Sequence, residues 1–127
     1  MPLLQFDTTL SLSADEKRSF ATRVTELYTT EMSTTAGHVA VTIRDRDPED
    51  LYLGRAVDGP LVILDADIRR GRPFEKKRAF ALAVMHHIGE TFDVPDENMK
   101  VVFTEHRGES MMGVERVGGE WDDEENV

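Results

Sequence analysis

Four residues of this sequence have the types and positions for chemistry on a small organic anion: Pro2, Tyr28, Arg69 and Arg72. If Met1 is removed, the nitrogen of Pro2 becomes a secondary amine instead of an amide. Amino termini titrate near ~8, and a dry site with cations nearby favours the neutral form. A neutral amine fixed at the start of a strand is a good general base near neutral pH. The alternative is a proline placed for structure alone, as its counterpart Pro60 illustrates. Arg69, Arg70 and Arg72 fall in "RRGR", just after a predicted strand and before a predicted helix. Guanidinium groups bind carboxylates through paired hydrogen bonds, and a helix N-terminus adds a favourable dipole. The competing role for these arginines is a surface loop bonded to Asp65, Asp67 or the acidic C-terminal residues. Tyr28, late in a predicted helix, can donate a hydrogen bond to a ligand; its competing role is at the core edge with the hydroxyl in water.

Other chemistries find little support. Cysteine is absent, which excludes disulfides, thiolate nucleophiles and cysteine-based zinc sites. His86 and His87 are adjacent, so they face different ways on a helix and lack metal-ligand spacing. His38 and His106 stand isolated in the sequence. Asp45, Asp47 and Asp50 lack the glycine and terminal glutamate of a calcium loop and read as an acidic turn. There is no phosphate loop and no serine elbow. Neither a metal nor a cofactor is expected. Met111-Met112 reads as an interface contact.

The net charge of −10 argues against nucleic acid and anionic membranes as partners. No apolar run reaches the ~18 residues of a membrane span, and the N-terminal stretch lacks the pattern of a secretory signal. A cytoplasmic protein is the expectation. The charge is uneven. "RRGRPFEKKR" (69–78) carries six basic residues and one acidic one, whereas "EWDDEENV" (120–127) carries five acidic residues and no base. A basic island in an acidic chain suits a small anionic ligand; a solvated helix start is the bland alternative. Acid-rich, lysine-poor composition also fits a salt-adapted host.

The elements that must position these residues come from a repeat. "PLLQFD" (2–7) matches "PLVILD" (60–65) at an offset of 58. "EKRSFATRV" (16–24) matches "KKRAFALAV" (76–84), and "HVAVTIRD" (38–45) matches "NMKVVFTE" (98–105), both at an offset of 60. Three matched blocks in order indicate a doubled unit, with repeats 2–45 and 60–105 and a C-terminal arm 106–127 in one 127-residue domain. Each unit reads as strand, helix, strand. Ser13 to Glu16 form a capping box, and Phe20, Val24, Leu27 and Tyr28 share a helical face. Pro73 suits the first position of the second helix. The two strands of a unit should be parallel. The fold class is therefore α/β, with a four-stranded mixed sheet and two helices. "LVIL" and "VVF" are continuous apolar runs, which predicts burial of both sheet faces. Two helices cover one face, so a neighbouring subunit should cover the other. "LYLGRAV" (51–57) reads as a short strand or hairpin arm. The segment from His106 on reads as an arm that packs on a neighbour, with a frayed tip.

The Met-Pro start, the doubled β-α-β unit and the arginines after the third strand resemble the tautomerase superfamily, and within it the cis-3-chloroacrylic acid dehalogenase-like proteins. "LYLGR" (51–55), "IRRGRPFEKKRA" (68–79), "VPDENMKVVFTE" (94–105) and "ESMMGVERV" (109–117) carry the likeness, and "IRRGR" is its most specific element. The resemblance implies a homotrimer of doubled units with the amino-terminal proline as catalytic base or acid. It places Arg69 and Arg72 where the family holds the substrate carboxylate, and Tyr28 where the dehalogenases have a histidine. Val102 stands where they have an active-site tyrosine. Gly113 stands where they have the glutamate that activates water, with Glu115 two residues along. The expected function is that of a tautomerase-like isomerase. Pro2 would move a proton on a small 2-oxo or enol acid, Arg69 and Arg72 would hold its carboxylate, and Tyr28 would polarise a carbonyl. The alternatives are a hydratase, dehalogenase or decarboxylase of small unsaturated or 3-oxo acids, and a non-catalytic oligomeric ligand-binding module.

Overall fold

Each half of the sequence folds as strand, helix, strand, as the repeat predicts. The computed structural model describes residues 1–122. Strand β1 (Leu3–Thr8), helix α1 (Ala14–Met32) and strand β2 (Ala40–Asp45) form the first unit; β3 (Val62–Arg69), α2 (Phe74–Phe92) and β4 (Met99–His106) form the second. The sheet order is β2-β1-β3-β4. β1 and β2 are parallel, β3 and β4 are parallel, and an antiparallel seam of β1 with β3 joins the units. The sheet is therefore mixed.

The repeat extends to details of local chemistry. Helix α1 starts in a capping box: Ser13 Oγ accepts from the Glu16 N–H, and Glu16 Oε1 accepts from the Ser13 N–H. Helix α2 has Pro73 at its N-cap and starts at Phe74, one residue later than expected. Both helices end at a left-handed residue, Ser33 (φ 54°) and Asp93 (φ 55°), sixty positions apart. An ion pair ties each helix to the closing strand of its own unit at equivalent positions, Lys17–Asp45 (2.8 Å) and Lys77–Glu105 (2.6 Å).

Both helices lie on one sheet face. Leu4, Phe6, Leu64, Ala66 and Ile68 meet Phe20, Val24, Tyr28 and Met32 of α1 and Phe80, Val84 and Ile88 of α2 in one cluster. Each large apolar side chain buried there contributes roughly 1.5–3 kcal/mol. Edge-to-face pairs Phe6–Phe20 (4.8 Å) and Tyr28–Phe80 (5.1 Å) fix the packing.

Two expectations are corrected, those for residues 51–57 and for Arg69. The run "LVIL" alternates in the fold: Val62, Leu64, Ala66 and Ile68 are buried, while Ile63, Asp65, Asp67 and Arg69 are half-buried on the face where a neighbouring subunit is expected. That second face is a hydrogen-bonded polar ladder, with Arg44 and Arg46 on Asp7 and Gln5 on Asp67; Leu3 and Val102 lie exposed beside it. Residues 51–57 form no strand; Arg55 instead donates to the Met99 carbonyl. Arg69 is the last residue of β3, not a loop residue. Finally, the segment after β4 folds back on its own chain. Trp121 is buried, and its Nε1–H donates to the Ser33 carbonyl. The expected frayed tip, 123–127, lies outside the described residues. Among the described residues, no helix is long and apolar enough to cross a membrane.

Candidate functional site

The strand order determines which residues can meet. Pro2 directly precedes β1, and its carbonyl accepts from the Ala40 N–H (3.0 Å) at the start of β2. β3 runs antiparallel to β1, so Leu3 lies opposite Asp67 near the far end of β3. β4 runs parallel to β3, so His106 lies beside Arg69. The starts of the first unit's strands therefore meet the ends of the second unit's strands.

Two cavities open there. One, of about 620 Å³, is lined by Pro2, His38, Asp67, His106 and Met111, with Met1. The other, of about 550 Å³, is lined by Arg69, Glu115, Arg116 and His38, again with Met1. Met1 and His38 are thus walls of both. Pro2 is buried and His38 half-buried.

Hydrogen bonds order the walls. Asp67 Oδ2 accepts from Gln5 Nε2 (2.8 Å), and Asp67 Oδ1 lies 2.8 Å from His106 Nε2. Arg116 Nη1 lies 3.2 Å from His38 Nε2; a guanidinium only donates, so this ring nitrogen accepts. A tight turn brings Glu115 and Arg116 to Arg69: the Gly113 N–H donates to the Arg116 carbonyl, and the Gly118 N–H donates to the Met111 carbonyl, both at 2.8 Å. Arg69 Nη1 donates to the Gly119 carbonyl (3.1 Å).

The loop between β3 and α2 is clasped from outside. Gly71 adopts φ 125°, and a Cβ there would lie 2.5 Å from the Trp121 carbonyl oxygen. The Trp121 N–H donates to the Arg70 carbonyl (3.2 Å). The Arg72 guanidinium sits between rings, 5.3 Å from Trp121 and 5.7 Å from Tyr28, and its Nε donates to the Met32 carbonyl (2.7 Å).

The residues singled out from the sequence thus divide. Pro2 and Arg69 stand in adjoining cavities that share two walls. Tyr28 and Arg72, 1% and 5% exposed, line neither cavity and pack against each other below the Trp121 clasp. Met111, read as an interface contact, lines the Pro2 cavity. Sequence reasoning missed His38, Asp67, His106 and Arg116. A signal existed for two of them: at the offset of 60, His38 aligns with Asn98 and His106 with Arg46, so the repeats diverge at both. The two clearest protonation effects lie elsewhere. The Arg44 guanidinium, aided by Arg46, holds the Asp7 carboxyl below its ordinary range, and burial lowers the His87 imidazole. No group of three or more His, Asp or Glu side chains suited to a metal occurs among the described residues.

No family model matches this sequence, and no curated protein matches it. Its likeness to known proteins is structural. N1, a member of the cis-3-chloroacrylic acid dehalogenase family, superposes with a TM-score of 0.82 at 22% identity, over 93% of this chain and 84% of that one. FG41 malonate semialdehyde decarboxylase inhibited by 3-bromopropiolate gives 0.76 at 20% identity, over 90% and 91%. A fused 4-OT, described as a symmetric trimer, gives 0.79 at 22% identity, over 91% and 97%. The chain therefore has the fold of tautomerase-superfamily structures, dehalogenase-like members included.

Proposed function

We propose that this chain, once Met1 is excised, moves a proton on a small 2-oxo or enol carboxylic acid, with the Pro2 nitrogen as base and Arg69 as the carboxylate anchor. One observation carries the reading: Met1 and His38 are common walls of the cavity that holds Pro2 and the cavity that holds Arg69. Excision of Met1 removes one shared wall and turns an amide into an amine beside a guanidinium-lined space. A carboxylate held at Arg69 and Arg116 would then occupy the cavity that adjoins that amine. Arg72 and Tyr28 enter this reading as supports of the loop that follows Arg69. Their ring–guanidinium stack fixes the loop's base, so Arg72→Ala should raise KM more than it lowers kcat.

The reading includes a homotrimer in the cytoplasm. Its support is the sheet face that this chain leaves uncovered, with Leu3 and Val102 exposed, and the trimer of the similar fused 4-OT. Light scattering at micromolar concentration should return three chains; a monomer would end that part of the proposal.

The catalytic test is covalent. Intact mass should lack Met1, and 3-bromopropiolate, the inhibitor of the similar decarboxylase, should modify Pro2. Pro2→Ala should lower kcat on an enolpyruvate at least about a hundredfold, within the range of general acid–base contributions. Retained Met1 with no labelling would leave a ligand-binding module. A second reading is favoured by Glu115, which lines the Arg69 cavity. There a carboxylate can activate water for hydration or decarboxylation of an unsaturated or 3-oxo acid, with protonated Pro2 as the acid. Release of carbon dioxide or halide from such acids, lost in Glu115→Gln, would establish it over simple proton transfer.

A further inference from the structure

We infer that His106, held by Asp67, is a second proton-handling group in the Pro2 cavity. The inference rests on the proposed function for its substrate, and on the hydrogen bonds of the sheet for its geometry. Both oxygens of Asp67 are engaged, one by Gln5 Nε2 and one by His106 Nε2, each at 2.8 Å. An ionised carboxylate only accepts, so the imidazole carries hydrogen on Nε2, and Nδ1 is the nitrogen that gains and loses a proton. The Asp67 side chain is 19% exposed and that of His106 37% exposed, so the carboxylate is sheltered while the ring remains open to the cavity.

Three neighbouring strands build this pair: Gln5 comes from β1, Asp67 from β3 and His106 from β4. No loop movement is needed to assemble it. The charged groups nearest the ring are Asp67 and its register neighbour Arg69, both on β3, with the titratable His38 and, after Met1 excision, the Pro2 amine on the cavity's other walls. β1 presents only the uncharged Leu3 and Gln5. At the position equivalent to His106 the first unit has Arg46, which donates to Asp7 (2.8 Å). A permanent cation on a carboxylate there is replaced here by a side chain that can exchange its proton.

Conversion of an enol to a ketone needs proton transfer at two atoms. The Pro2 nitrogen takes the hydroxyl proton as the carbon–oxygen double bond forms. The electron pair of the carbon–carbon double bond takes a proton from Nδ1 of the His106 imidazolium. Pro2 is left protonated and His106 neutral, and one proton passed from the first to the second through water restores both. A carboxylate-oriented imidazole is suited to this task because its tautomer is fixed before the substrate arrives.

The test uses the processed full-length protein and phenylenolpyruvate. His106→Gln should lower kcat 10- to 100-fold with KM changed less than about threefold, within the range of general acid–base effects. Its Pro2 should still be modified by 3-bromopropiolate at a rate within about twofold of wild type, which shows an intact fold and an intact first base. Long-range proton–nitrogen NMR, at a pH where the ring is neutral, should find His106 in the Nε2–H form in wild type and without a preferred form in Asp67→Asn. A wild-type imidazole with no preferred form overturns the inference, as does wild-type kcat in His106→Gln. Wild-type inactivity with Pro2 unlabelled would sink the proposed function and this inference with it; an unchanged kcat after loss of His106 would sink this inference alone.

Discussion

At the Pro60 end of the sheet, Asn98 is fully buried. Its amide donates to the carbonyls of Val57 (2.8 Å) and Pro60 (3.1 Å), and it accepts from the Val57 N–H (2.8 Å). At the Pro2 end, the position sixty residues earlier is His38, which faces two cavities and meets Arg116. The backbone frame is the same at both ends: a proline, a strand start and a single turn of tight helix before the closing strand. One side chain distinguishes them. Asparagine closes its end by pinning the inter-unit linker, whereas histidine leaves its end open and lined with ionisable groups. A doubled fold thus devotes one of two equivalent corners to cohesion and leaves the other for chemistry.

Substitution at the two corners should separate these roles. Asn98→Ala leaves buried linker groups without partners and should cost about 2–4 kcal/mol in denaturant unfolding. His38→Ala should cost no more than about 0.5 kcal/mol while changing turnover. Equal losses from both would break the comparison. Next in size is Gly71→Ala, where both the positive φ and the Trp121 carbonyl oppose a side chain; about 1–3 kcal/mol is expected. The equivalent ion pairs sharpen the contrast at smaller scale. Lys77–Glu105 is more sheltered than Lys17–Asp45, with side chains 23% and 33% exposed against 36% and 48%. Lys77→Ala should therefore cost more than Lys17→Ala, both within about 1 kcal/mol.

The smallest effect concerns acid. Asp7 has its native pKa held below the ordinary 3.8, chiefly by hydrogen bonding from Arg44. A carboxyl with a depressed native pKa adds stability that is complete above its unfolded value and is lost as pH falls through the native one. Stability from Asp7 should thus persist above about pH 4 and decline below it. Arg44→Ala should remove most of that acid-side slope, as read from denaturant midpoints against pH. His87 has a native value lowered from 6.5 by burial, so its contribution is complete above pH 6.5 and lost on descent through the lowered value. His87→Phe should flatten that second limb without moving the first.

The frame was legible because the sequence writes it twice. The matches of Phe20 with Phe80, Val24 with Val84 and Lys17 with Lys77 locate both helices. The capping box at Ser13 marks one helix start to the residue. The corner was not legible in the same way. His38 and His106 lie far apart along the chain, and only the antiparallel β1–β3 seam brings them to one cavity. The apolar run of β3 concealed its alternation, since Ile63 lies on the polar face with Asp65 and Asp67. "LYLGRAV" has the composition of a strand, but its backbone groups go elsewhere: Asn98 takes both polar groups of the Val57 backbone. Trp121 gave no periodic signal, because its partners, Arg70, Arg72 and Ser33, belong to a loop and a helix cap.

The Trp121 clasp also determines how long the cavities last. Between Arg107 and Asp122 the chain has one short 3₁₀ turn and one isolated bridge, Met112 with Val117. It is held down by one indole, a few backbone bonds and the side-chain contacts of Arg69 with Gly119, Arg70 with Glu120 and Arg116 with His38. Such a segment opens at lower free energy than the sheet beneath it. In hydrogen exchange, the amides of Gly118 and Trp121 should turn over well before those of Leu4 and Leu64. The walls that this segment lends to the Pro2 and Arg69 cavities would then open before the sheet does, and a bound acid would be recognised by how much it slows that exchange.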